Sequence, residues 1–180
     1  LKRHNPDLVL LRYHHALGAR PNTPDWADIQ GDESVFLHDA ASGRRLVAKK
    51  YGWRLLNIGT GQWRRLLCNR VRRDTDPIFD GVFIDDFWIR YVDKFVAEGL
   101  HRPGRPADDV IDAWQVHMAA GLQALRAVYP GQIFINGAHR EYLEWVDGCM
   151  DEGFVHGNWE SDTALRDAMA ALDSKVYLLP

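Results

Sequence analysis

The sequence predicts an α/β chain with parallel strands, arranged as a (β/α)8 TIM-type barrel. Three observations lead there. Six short runs are almost continuously apolar, as strands are when both of their faces are covered: Leu8–Tyr13, Arg54–Ile58, Gly81–Ile84, Gln132–Asn136, Gly148–Asp151 and Lys175–Leu179. Helical periodicity fills intervals between them. Nearly every run also closes on polar residues, which favours a barrel with one shared mouth over an open, doubly wound sheet.

The helices follow from spacing. Gly61–Asp74 carries Trp63, Leu66, Leu67 and Val71 at intervals that stack on one helix face. Ala107–Tyr129 carries Val110, Ile111, Trp114, Met118, Leu122 and Leu125 in the same way, with Pro106 suited to a first turn. Ser161–Leu172 opens on Ser-Asp-Thr, which offers N-cap oxygens. Strands that alternate with helices pair in parallel through right-handed crossovers. Two longer segments follow strands, Ala19–Tyr51 and Phe87–Arg105, on the side where barrels put their binding loops. The first reads as a loop insertion, around residues 19–51, within a single catalytic domain spanning 1–180. Strand signals stand near both ends, so the expectation is a partial barrel lacking its first and last units.

Composition excludes several classes. At 46% hydrophobic and 26% charged, the chain reads as an ordinary globular domain. A net charge of −3 argues against nucleic acid as a partner, and no apolar run approaches the ~20 residues needed for membrane insertion. Two cysteines provide neither a disulfide framework nor a four-ligand zinc pattern; Cys149 reads as strand core and Cys68 as helix packing. Gly59-Thr60-Gly61 follows a strand but lacks the third glycine and the ribose-binding acid of a dinucleotide site. No cofactor is expected. Arg64, Arg65, Arg70, Arg72 and Arg73 read as a solvated helix face.

The chemistry is expected at the strand ends. These carry Tyr13-His14-His15, Asn57, Asp85-Asp86, Asn136 with His139, and Asp151-Glu152. On one rim, carboxylates crowd each other, which separates a proton donor from an ionised partner. Asp85 and Glu152 would lie one strand apart. With strands ~4.8 Å apart, inward-leaning carboxyls would come within ~5–9 Å, a window that covers retaining and inverting glycoside hydrolases. Asp86 and Asp151 are the second members of each pair; Asp86 also suits a helix cap. Tyr13, His14, Asn57, Asn136 and His139 are candidates for substrate binding, and Trp88 for stacking on a sugar ring. Neighbouring histidines on a strand cannot both face one ion, so no metal site is expected from His14 and His15.

The run Asp80-Gly81-Val82-Phe83-Ile84-Asp85-Asp86 resembles the Asp-Gly-Val-Phe-Leu-Asp strand of glycoside-hydrolase TIM barrels, namely the hypothetical glycosyl hydrolase-like families and the related endo-α-1,4-polygalactosaminidases. Leu55-Leu56-Asn57-Ile58-Gly59 with Trp63-Arg64, then Ile135-Asn136-Gly137, then Asp147–Phe154 resemble neighbouring strands of these families in order. The resemblance implies a carbohydrate substrate, Asp85 and Glu152 as the catalytic acids, and a secreted or cell-envelope setting. Two other readings stay open: a non-catalytic carbohydrate-binding barrel, and a metal-dependent hydrolase.

Overall fold

The structure is a computed structural model that describes residues 2–48, 51–73, 76–87, 104–137, 140–150 and 176–178. Its main sheet holds β1 (Leu11–His15), β5 (Gly81–Asp85), β6 (Gln132–Asn136), β7 (Gly148–Met150) and β8 (Val176–Leu178), in that order and all parallel. Strands therefore add along one direction in chain order, as in a singly wound barrel. The described strands form an open sheet, and barrel closure is not among them.

The period of two sorts the side chains. Val82, Ile84, Ile133, Ile135 and Cys149 belong to the buried cluster that also contains residues of two helices, α2 (Gly61–Arg73) and α4 (Trp114–Val128). In α2 the buried residues Trp63, Leu67 and Val71 repeat every four positions, and the Thr60 hydroxyl accepts from the Trp63 amide to cap the first turn. Trp114, Met118, Leu122 and Leu125, at steps of four, four and three, form the buried stripe of α4. A short helix, α3 (Asp108–Asp112), precedes it and breaks at Ala113, so the single helix expected over Ala107–Tyr129 is two. The helix expected over Ser161–Leu172 lies outside the described residues.

Two expectations are corrected. Arg54–Ile58 is not a strand of the parallel sheet. Its counterpart, β4 (Trp53–Leu55), is the centre of an antiparallel sheet with β2 (Gly18–Ala19) and β3 (Val47–Ala48), and β1 pairs directly with β5. The described residues of segment 19–51 are thus not one loop. They carry a short helix, α1 (Trp26–Ile29), a 3-10 turn at Glu33–Val35 and their own buried residues Phe36, Leu37 and Leu46. The apolar run around Leu55 is buried by this small sheet, and burial from either source produces the same run of residues.

Candidate active site

Register brings the site together. His15 pairs with Asp85, and Ile84 with Ile135, so the next positions set Asp85 beside Asn136. Asp85, Tyr13 and Asn136 share the face opposite the helices. The Tyr13 hydroxyl donates to Asp85 Oδ2 at 2.6 Å, and Asn136 Nδ2 donates to Asp85 Oδ1 at 2.8 Å. The Asp86 main-chain N–H also donates to Oδ1, at 2.8 Å. Three donors thus converge on one carboxylate, which is acceptor-only when ionised.

Asp86 sits next to it in an unusual conformation. Its φ is 65°, and it is the only described residue other than glycine with positive φ. Ladder bonds continue on both sides of it: Ala16 N–H donates to the Asp85 carbonyl, and Phe87 N–H to the Asn136 carbonyl. The turn at Asp86 therefore acts as a local kink that keeps both acids at the strand end. The Asp86 side chain meets His15, whose Nε2 lies 2.8 Å from Asp86 Oδ2. His15 Nδ1 accepts from the Leu17 N–H at 3.2 Å, so the ring proton of the neutral imidazole resides on Nε2.

The small sheet and α2 brace this histidine. The Trp53 ring lies 4.4 Å from it, centroid to centroid. A Cβ on Gly18 would stand 2.9 Å from Trp53 Cβ and 3.0 Å from His15 Cε1, so only glycine leaves room there. Arg70 donates to the carbonyls of His15 and Gly18 and pairs with Asp25 at 2.7 Å. Arg70 is therefore not part of a solvated arginine face. A cavity of about 450 Å³, lined by Tyr13, His15, Trp53 and Arg70 among others, opens beside β1.

Among the expected site residues, the structure brings together Tyr13, Asp85, Asp86 and Asn136. His14 lies on the helix side of the sheet with Ile84, its register partner. Asn57 is not at the end of a parallel strand; its Oδ1 accepts from the Gly59 N–H of its own loop, ahead of α2. Trp88, His139, Asp151 and Glu152 lie outside the described residues. β7 is separated from β5 by β6 alone, which is the strand order that pairing Asp85 with Glu152 requires. His15, expected at the strand end but given no binding role, joins Asp85 and its partners, and Trp53 and Arg70 are additions. Among the described residues no group of three or more His, Cys, Asp or Glu side chains is arranged to hold a metal ion. No described helix is long and apolar enough to cross a membrane.

The family model described as hypothetical glycosyl hydrolase family 15 matches residues 2–177. The chain belongs to that family. No curated protein sequence matches this family member significantly. Among solved structures it is similar to Aspergillus fumigatus Ega3 in complex with galactosamine, at 17% identity and a TM-score of 0.66, over 98% of this chain and 61% of that one. The glycoside hydrolase domain of PelA from Pseudomonas aeruginosa follows at 15% identity and a TM-score of 0.57, over 95% and 65%. A noncanonic maltogenic α-amylase, AmyB from Thermotoga neapolitana, matches at 13% identity and a TM-score of 0.52, over 97% and 38%. The family 15 chain spans less than two thirds of the length of each. At these identities the likeness is one of fold, and it is a fold of glycoside hydrolases.

Proposed function

We propose that the chain is a glycosidase that cleaves a glycosidic bond in an oligo- or polysaccharide by a two-carboxylate mechanism. Asp85 serves as nucleophile or charge stabiliser, and Glu152 as general acid/base. The observation that carries this reading is the convergence of Tyr13, Asn136 and the Asp86 amide on the Asp85 carboxylate. Donors from three places leave that carboxylate with one orientation, at a strand end, facing away from the helices. Such fixed alignment is what an anionic group needs to meet positive charge developing at an anomeric carbon. Asp86 supports it through its amide, and Asp151 is the alternative to Glu152 on the second strand. Family membership and the galactosamine bound in the Ega3 structure favour a saccharide as the substrate.

The test is a pair of isosteric variants, Asp85→Asn and Glu152→Gln, assayed against a polysaccharide panel that includes α-1,4-linked galactosamine polymers. Each is expected to lose about 10³-fold in kcat with its melting temperature retained. Full turnover by both folded variants would sink the assignment. Glycan binding without turnover by the unmodified chain would make it a binding module instead.

A further inference from the structure

We propose that His15 is a positioning residue for the Asp85 carboxylate, acting through the side chain and main-chain amide of Asp86. This rests on reading Asp85 as the reacting acid. The Asp86 amide reaches Asp85 Oδ1 because the chain turns into the left-handed region at that residue. A non-glycine residue stays there only when its surroundings hold it. One group that holds it is the His15 imidazole, 2.8 Å from the Asp86 carboxylate and 9% exposed.

The imidazole in turn has little freedom. Leu17 N–H occupies Nδ1, the Trp53 ring covers one face, Gly18 leaves no gap behind it, and Arg70 grips its main-chain carbonyl at 2.6 Å. With Nδ1 engaged as an acceptor, Nε2–H is left to donate to Asp86. A chain of fixed groups therefore runs from the small antiparallel sheet, through His15 and Asp86, to one oxygen of Asp85. The bland alternative is a tie that merely closes the end of β1. The two differ in what happens to Asp85 when the donor is removed and then restored.

The experiment compares His15→Ala with His15→Gln, whose side-chain amide can place an N–H near the position of Nε2. One readout needs no substrate: the Asp86 amide proton, followed by 15N–1H NMR. In His15→Ala this resonance should move upfield and its solvent exchange should quicken by about tenfold or more. Turnover should fall about 10- to 100-fold in kcat, with KM changed less than about threefold. His15→Gln should recover both signals. If His15→Ala does not fold, His15→Leu removes the donor with less change in volume. An unmoved Asp86 amide, an unchanged kcat, or a glutamine variant as impaired as the alanine one would each overturn the proposal. If the amide responds as stated while Asp85→Asn and Glu152→Gln keep full turnover, the positioning holds and the glycosidase reading fails. If the amide is unmoved and those two variants are inactive, the reverse is true.

Discussion

The three donors on Asp85 are not equivalent, because they differ in burial. Tyr13 is 54% exposed, whereas Asn136 is 1% exposed. Tyr13→Phe removes one O–H and leaves the ring beside Phe83, 6.2 Å away between centroids. Stability should change by less than about 0.5 kcal/mol, as at most surface positions. Loss of a donor aligned on a reacting carboxylate should still lower kcat by about tenfold. Asn136→Ala removes a buried donor and leaves a void, so it should cost about 1–3 kcal/mol of stability as well as activity. Urea midpoints and kcat, measured on both variants, separate the two effects. An unaltered kcat in Tyr13→Phe would remove its hydroxyl from the site. These positions were legible in the sequence because alternate residues of a strand share a face. The choice of histidine was not: both stood at the strand end, but β1 runs on to His15, and Tyr13 shares its face with His15 rather than with His14, the residue expected to bind substrate.

At the level of elements, α2 fixes the end of β1 through two residues of opposite character. Arg70 and Asp25 are 11% and 4% exposed in their side chains, and Arg70 also binds two carbonyls. Arg70→Met would leave Asp25 charged and buried without its partner, a loss of about 3–5 kcal/mol. Set against a total stability of ~5–15 kcal/mol, that endangers the fold. The Arg73–Asp28 pair, 58% and 62% exposed, should contribute about 0–1 kcal/mol, so Arg73→Ala should melt close to the parent. Equal losses in the two variants would contradict this account. The distinction was present in the spacing, since Arg70 stands seven residues after Trp63, on the buried stripe of the helix. Charge obscured it. Gly121 on α4 meets the same tryptophan: an added Cβ would lie 2.4 Å from Trp63 Cη2. The indole cannot withdraw freely, because its Nε1 donates to the Ala16 carbonyl at 3.0 Å. Alanine gains about 1 kcal/mol in helix propensity, but overpacking costs about 1–3 kcal/mol. Gly121→Ala should therefore lower the melting temperature rather than raise it.

For the whole molecule, parallel pairing and the order from β5 onward were legible, because strand-helix alternation leaves few other topologies, whereas the run at Arg54–Ile58 was wrongly counted between β1 and β5. The small antiparallel sheet was hidden, since its strands are two or three residues long and too short to show a period. Its attachment to the rest has a predictable pH dependence. Within it, Arg45 and then His38 hold the Glu33 carboxyl down at about 2. Asp39 is likewise lowered to about 2 by the Ser42 side chain and the Arg105 and Ser42 amides, and so ties this sheet to the segment leading into α3. Asp80, just before β5, is lowered by Lys2 and the Leu10 amide, which ties β5 to the approach to β1. A carboxyl with a depressed folded-state pKa stabilises the fold above its unfolded value, near ~4, and that contribution disappears as pH falls through the folded value. The molecule should be unchanged from neutral pH to about 5 and loosen between about 4 and 2 as Glu33 and Asp39 take up protons, with Asp80 acting in the same direction. Far-UV circular dichroism and tryptophan fluorescence across that range should show the transition. Fluorescence should respond first, because Trp26 packs on Phe36 and Trp53 on His15 in or beside the small sheet. A molecule unchanged down to pH 2 would contradict the part given to these carboxyls.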